Sequence, residues 1–404
     1  MPFQIAISGI KAAAADLSVI GNNVANANTT GFKKSRAEFA DVYAVTHLGV
    51  ASDTPGSGVS VSRVAQQFTR GNVSFTDNDL DLAISGEGFF ILDDNGSRAY
   101  TRAGAFGLDR DGYVVNGSGQ RLVTYQVDSV GNVTGATGPL KMSTADSTPK
   151  ASSKMTVGIN LDSSETAIPA ATTFDPADTD SFNHSTSHTI YDSLGGSHLA
   201  TLYYRKTADN TWQTYTYVDN AQVTGPDTLG FSTSGAVTTP NPAEITTGSF
   251  TPSGGGAAMT LTLDYSTATQ FGSPFGVNKI SQDGYPAGRL SGVEIDENGV
   301  ISTRFTNGRT VVQGKVALAN FSNPQGLHPT GDTAWAETYA SGDAVVTAPG
   351  TAGLGLVQSG ALEDSNVDLS EELVKMIIAQ RNYQANAEVI QTADAITQSI
   401  MNLR

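Results

Sequence analysis

The chain has 404 residues, long enough for two or three domains with separate cores, and 39% of them are hydrophobic, so most of it can fold. Charged residues are only 15% while glycines number 43, a mix that favours turn-rich β-domains over a helical enzyme. The balance of 39 acidic to 23 basic residues (net charge −16) excludes a nucleic-acid binder, and the lack of cysteine excludes disulfides, Cys-ligated zinc and thiol catalysis.

The one basic cluster is Lys33-Lys34-Ser35-Arg36. Mutual repulsion keeps such an acidic chain soluble, and salt is expected to favour its self-association. The uncharged start, MPFQIAISGI, is followed by no small-residue cleavage site, so no cleaved secretory signal is expected. Nor does any stretch read as long and apolar enough to span a membrane, so no membrane insertion is expected.

All 15 prolines lie at position 2 or between Pro55 and Pro349, leaving both end regions free of helix breakers. From Phe3 to Ala27 apolar residues fall on heptad positions, one row being Phe3, Ile10, Leu17 and Val24, the other Ala6, Ala13, Ile20 and Ala27. Asp16 and Asn23 lie off that seam, and the small residues of the second row let helices approach closely. The segment would be about 38 Å long as a helix. Burying its five large seam residues contributes about 8–15 kcal/mol, whereas ordering the backbone costs at least about 25 kcal/mol. A pairwise seam alone cannot hold such a helix, so ends that fray in the monomer and fold on assembly are expected.

The middle reads as β. Residues 80–92 (LDLAISGEGFFIL) form two strands meeting at Gly86-Glu87-Gly88, and Asp109-Arg110-Asp111-Gly112 marks a hairpin. A second hairpin joins 199–205 to 212–218 across Ala208-Asp209-Asn210, and a last β block covers 293–321 with turns at Glu297-Asn298-Gly299 and Asn307-Gly308. Ser/Thr/Gly-rich bands near 143–185 and 224–257 read as loops of an inserted domain. From Leu369 to Leu403 a second helical stripe runs through Leu369, Leu373, Met376, Tyr383, Ala387 and Ile390, then shifts phase through Ala393, Ile396, Ile400 and Leu403. Ser370 before Glu371 and Glu372 is read as its N-cap.

At residues 20–33, IGNNVANANTTGFK, the residues Asn22, Asn23, Asn26, Thr29, Gly31, Phe32 and Lys33 follow the first helix. Physically, Asn and Thr side chains cap backbone groups where that helix ends, Gly31 allows a positive φ, and Phe32 anchors the exit against a core. This motif resembles that of the flagellar rod/hook axial-protein family. The C-terminal GALEDSNVDLSEELVKMIIAQRNYQANAEVIQTADAI is similar to the family's closing signature. The terminal likeness covers about a quarter of the chain; the long middle is similar in plan to hook-type subunits, rod-type ones being shorter there.

The resemblance implies a structural subunit, not an enzyme and without cofactor or metal. It self-assembles into a flexible, curved, torque-transmitting tube around an export channel, outside the cell. The fold class expected is mainly β, with long terminal helices that pack as a coiled coil in the polymer. Residues 1–30 with 363–404 would form the helical polymerisation domain, and 31–71 with 350–362 a connector. Residues 72–145 with 285–349 would form a discontinuous β-domain, and 146–284 an inserted outer β-domain. The seam would be Phe3, Ile10, Leu17, Ile20, Val24, Leu369, Leu373, Met376, Tyr383 and Ile390. By the same resemblance Gln380, Arg381, Gln384, Gln391 and Thr392 form a wet channel wall, and Phe39 with Tyr43 is similar to a short export-recognition pattern. The partners implied are further copies of the chain, a distal rod protein, a hook cap protein, a hook–filament junction protein and the flagellar type III export gate.

Other chemistry finds little support. His184 and His188 have i,i+4 spacing but sit in a strand-like stretch, where that spacing brings no ligands together. Asp77-Asn78-Asp79-Leu80-Asp81 starts like a calcium loop yet lacks its glycine and distal glutamate. Gly353-Leu354-Gly355 has no strand–loop–helix context, and no nucleophile elbow is present. Alternatives left open are another axial subunit, a secreted β-domain adhesin, and a monomeric β-protein with helical tails.

Overall fold

The computed structural model describes residues 2–42, 56–128, 131–143 and 145–402. It is mainly β, with one long helix at each end: α1 (Pro2–Ala25) and α2 (Leu369–Asn402). The chain divides into two compact units, one of Met1–Thr144, Gly292–Arg304 and Thr310–Arg404, the other of Ala145–Ser291 and Phe305–Arg309.

In the first unit the run Phe89–Asp94 explains the sheet. Its apolar residues are continuous because both faces are covered, as the two-residue period of a strand requires. Phe90 and Leu92 point into a core with Leu82, Leu122, Val316 and Leu318. Phe89 and Ile91 point into another with Tyr100, Phe321 and Trp335. The strand pairs antiparallel with Ser97–Thr101 on one side and Arg121–Val127 on the other. Leu82–Ser85 and Phe89–Asp94 are the two strands read at 80–92, although the first pairs with Leu356–Ser359 instead. The Asp109 hairpin is present, its carboxylate accepting from the Asp111 and Tyr113 N–H groups at 2.9 and 2.7 Å.

The segments read as connectors carry strands. Ser35–Asp41 pairs antiparallel with Val59–Gln66, and this ribbon touches α1 where the Val59 N–H donates to Ser8 Oγ at 3.2 Å. Val73–Phe75, at the start of the segment read as β-domain, pairs antiparallel with Ala361–Glu363 at the end of the second connector.

The second unit is a β-sandwich. One sheet is the antiparallel meander His184–Tyr191, Ser197–Ala208, Thr211–Val218, Ala221–Phe231 and Val237–Thr239. The other is built on Lys154–Asp162, and the two share one core around Trp212, Tyr204, Tyr265, Val157 and Ile159. The Ser/Thr/Gly-rich bands are therefore not loops throughout: Lys154–Asp162 and much of Ala221–Phe231 are strands. Alternation of small polar residues with Met155, Val157, Ile159 and Leu161 was enough to bury one face. His184 stacks on Phe275 with ring centroids 4.4 Å apart, and no group of metal-ligating side chains occurs among the described residues.

Contrary to the sequence reading, α1 is apolar and long enough, from Phe3 to Ala25, to cross a membrane by length and composition. Its apolarity comes from alanines and scattered aliphatics rather than from a continuous run of large residues. Part of that surface is already covered by protein.

Candidate assembly site

The two terminal helices pack on each other antiparallel. Gly9 lies against the Asn386 side chain, and Asn23 Nδ2 donates to Glu372 Oε2 at 3.0 Å, so α1 rises as α2 descends. The α1 face in this contact is the small-residue row: Ala6, Ala13 and Ile20 are buried, with Asn23 only 1% exposed. Asn23 is thus on the seam, not off it. Its amide donates to Ser35 O at 2.8 Å and its oxygen accepts from the Ser35 N–H at 2.9 Å, which satisfies a polar group inside the contact. Phe3 is exposed, and Ile10, Leu17 and Val24 are half-buried. On α2 the buried positions are Glu372 and Ala379, with Met376, Ala387 and Ile390 half-buried. Asp16 is placed near Glu372, and burial together with that negative charge raises its carboxyl above the usual range, Lys375 opposing.

The end of α1 is built by the predicted motif. Asn26 Nδ2 donates to Asn22 O at 2.9 Å, and Thr29 Oγ1 donates to Asn26 Oδ1 at 3.1 Å. Gly31 takes φ +69° with its N–H donating to Glu363 O at 2.7 Å, and a Cβ there would collide with the Ala103 backbone. Phe32 does not anchor in a core: it is half-buried and lines an open groove of about 790 Å³ with Asn22, Phe68 and Trp335. The buried residue of the pair is Lys33.

Lys33 Nζ donates to Glu363 Oε1 at 2.5 Å and to Thr69 O at 2.8 Å. Arg102 Nη1 reaches the other oxygen, Oε2, at 3.1 Å while Nη2 donates to Gly86 O at 2.9 Å. The Gly71 N–H adds a third bond to the Glu363 carboxylate, at 3.0 Å to Oε1. One carboxylate, 1% exposed, thus joins the N-terminal motif, the C-terminal strand and the β-sheet. Burial lowers the pKa of both Lys33 and Arg102, and Glu363 opposes that shift in each. Three residues on, Asn366 accepts from the Lys34 N–H at 2.7 Å and donates to Gln67 O at 2.8 Å.

The helix cap is Asp368 and not Ser370. Asp368 Oδ1 accepts from the N–H groups of Ser370 and Glu371 at 2.9 and 3.1 Å, satisfying the first free donors of the helix. Glu371 and Glu372 follow in the first turn, as read.

The α2 face turned away from α1 changes character along its length. Leu369, Leu373, Val374, Ile377 and Ile378 are all exposed in the first third. Beyond them Gln380, Arg381, Gln384, Gln391 and Thr392 are exposed on the same side. Tyr383 is exposed as well. Phe39 lies exposed in Ser35–Asp41, and Tyr43 lies outside the described residues. Sequence reasoning missed Glu363, Arg102, Asn366 and Ala379. A signal was available for the first: an isolated acid in an otherwise apolar ALE strand.

Long helical ends knotted to a β-domain by these two motifs define an axial subunit of the flagellar rod-and-hook class. Four family models match in chain order: the flagellar basal body rod protein at 3–33, the flagellar hook protein FlgE/F/G D1 domain at 83–168, the flagellar basal body protein FlaE D2 domain at 160–285, and the flagellar basal body rod FlgEFG C-terminal at 358–403. The chain is 40% identical to the flagellar hook protein FlgE of Salmonella typhimurium and 39% to that of Escherichia coli, over 100% of both chains in each case. It is 34% identical to the hook protein of Rhizobium meliloti, over 98% of this chain and 97% of that one. The Helicobacter pylori hook protein FlgE2 shares the fold, with TM-score 0.54 at 16% identity over 72% of this chain and all of that one. The chain belongs to the flagellar hook protein family and is a structural subunit of the hook.

Proposed function

We propose that the subunit polymerises through its paired terminal helices into a curved, flexible tube that carries motor torque and encloses an export channel. The observation that carries this reading is the aliphatic patch Leu369, Leu373, Val374, Ile377 and Ile378, left in solvent on a helix that needs more partners than one chain supplies. Within the chain α1 buries mainly alanines against α2, and the energetic deficit of a helix held by one seam is correspondingly larger. Neighbouring copies close it, through Leu369, Leu373, Met376, Tyr383 and Ile390 of α2 and Phe3, Ile10, Leu17 and Val24 of α1, Ile20 being already buried within the chain.

The polar continuation from Gln380 to Thr392 supports its assignment to the channel wall, where a wet surface adheres weakly to passing chains. The β-units form outer layers whose polar contacts slide as the tube bends while it rotates. Phe39 and Tyr43 serve recognition at the export gate. Export keeps the N-terminal segment, since Ala6 to Ile20 supplies the surface on which α2 packs. A rod protein below, a cap during growth and a junction protein above complete the set of partners.

Electron microscopy of basal bodies from cells lacking the protein tests this reading. Structures that end at a bare rod support the hook position. A truncated rod would move the subunit along the axis. Complete flagella would overturn the reading and favour an adhesin role.

A further inference from the structure

His198 stands at the start of Ser197–Ala208 in the second unit, between two hairpin turns, with 6% of its surface exposed. On one side is the turn from Asp192 to Gly196. Asp192 Oδ1 accepts from the N–H groups of Leu194 and Gly196 at 2.9 and 2.7 Å, and its Oδ2 lies 3.3 Å from His198 Nε2. On the other side is Asp219-Asn220, with both residues at positive φ. Asp219 Oδ1 accepts from the Leu199 N–H at 3.0 Å, and its Oδ2 lies 2.6 Å from His198 Nδ1. A third segment closes over Asp192: a Cβ on Gly256 would stand 2.8 Å from its carboxylate, and the Ala257 N–H donates to Ser193 Oγ at 2.8 Å. That segment, TPSGGGAA, carries no charge, so Asp192 and Asp219 are the ionisable groups facing the ring.

A neutral imidazole offers one N–H and one lone pair. Here both nitrogens face carboxylate oxygens, which when ionised can accept but not donate. Burial works against ionised Asp192, but the Gly196 N–H and His198 hold its pKa below the usual range; burial is likewise outweighed at Asp219 by His198 and the Leu199 N–H. The ring must then carry both protons. We propose that His198 is a proton-operated latch, fastening the two turns of the second unit while doubly protonated and releasing them in alkali.

Burial alone would lower the His198 pKa, but Asp219 and Asp192 hold it above 6.5. A group whose folded pKa is raised gives its full stabilisation below the unfolded value and loses it as pH rises through the folded one. The two aspartates, depressed from 3.8, set the acid limit at their lowered folded values. The latch is fastened between those limits.

The test is a histidine Cε1 NMR titration of the full monomeric chain, assigned with His198→Gln, alongside amide exchange of Leu194, Gly196 and Leu199 corrected for intrinsic base catalysis. His198 is expected to titrate above 6.5. The corrected opening constant should rise by up to about tenfold per pH unit between the unfolded and folded values. That rise should be absent in His198→Gln, and Asp219→Asn should lower the titration point. Titration at or below 6.5, or opening in the parent chain that does not depend on pH, would overturn the proposal. Should His198→Gln not fold, the parent titration and Asp219→Asn decide the matter.

Discussion

The second unit buries Trp212, Tyr204, Tyr265 and the inward side chains of Lys154–Asp162 within one chain, whereas the first leaves Leu373, Val374, Ile377 and Ile378 in water. The contrast is in what covers an apolar face. In the sandwich, every inward strand position meets the facing sheet, so the core needs no second molecule. On α2, one flank meets the alanine row of α1 while the opposite flank has no partner among the described residues. On the assembly proposed above, stability in the sandwich is a property of the monomer, and in the terminal helices a property of the polymer.

The sharpest way to break the comparison is Ile377→Asp together with Ile378→Asp. Polymer should be absent, by sedimentation, at concentrations where the parent chain assembles, while the unfolding transition of the sandwich is unchanged. Loss of the sandwich transition would refute the division. Leu17→Asp should likewise prevent assembly, but Ile20→Asp should also weaken helix pairing in the monomer, since Ile20 is 3% exposed.

Next in size are two core changes that should act separately. Glu363→Ala leaves Lys33 and Arg102 buried without a counter-ion, a loss of about 3–5 kcal/mol confined to the first unit. Trp212→Ala should cost about 3–5 kcal/mol in the second unit alone. Denaturant unfolding followed by site-resolved probes distinguishes them, and a shared loss in both variants would show the units to be one cooperative body.

Smaller effects test the helix ends. Asp368→Ala should cost about 1 kcal/mol of α2 stability, while Ser370→Ala costs less, as read by helix content on heating. The smallest concerns Asp16. Its raised folded pKa means the ionised form weakens pairing, so pairing strengthens as pH falls through the folded value toward the unfolded one. Asp16→Asn should therefore slow amide exchange along α1 at neutral pH, with the advantage fading as pH falls to the unfolded value near 3.8.

Much of this was legible in residues close in sequence. Proline placement and heptad spacing located α1 and α2, and Asp109-Gly112 and Asp209-Asn210 marked hairpins that formed. Gly31 was read correctly because a positive φ is a local need. Asn23 was misplaced because it falls outside the two heptad rows, whereas its amide is satisfied inside the contact by Ser35 and Glu372. The alanine row lets α2 approach as read, and Gly9 against Asn386 shows how close. The choice of Asp368 over Ser370 depended on which oxygen reaches two N–H groups, a matter of geometry that composition does not encode. Glu363 was missed because its partners are Lys33 and Arg102, which no local pattern connects to it.

The Lys33–Glu363 bond spans 330 positions of chain, and it also sets an order of events. A ribosome that has released Lys33 must still add those residues before the ammonium meets its counter-ion, and more before Phe3 has α2 beside it. The strands of the sandwich are complete once synthesis has passed Gln282 and the Phe305–Arg309 segment, so that unit can close first. The first unit finishes later, once α2 has been made. A truncated subunit lacking its final segment would thus carry a sound sandwich and an unpaired α1, and a growing tube would find no completed end on it to accept.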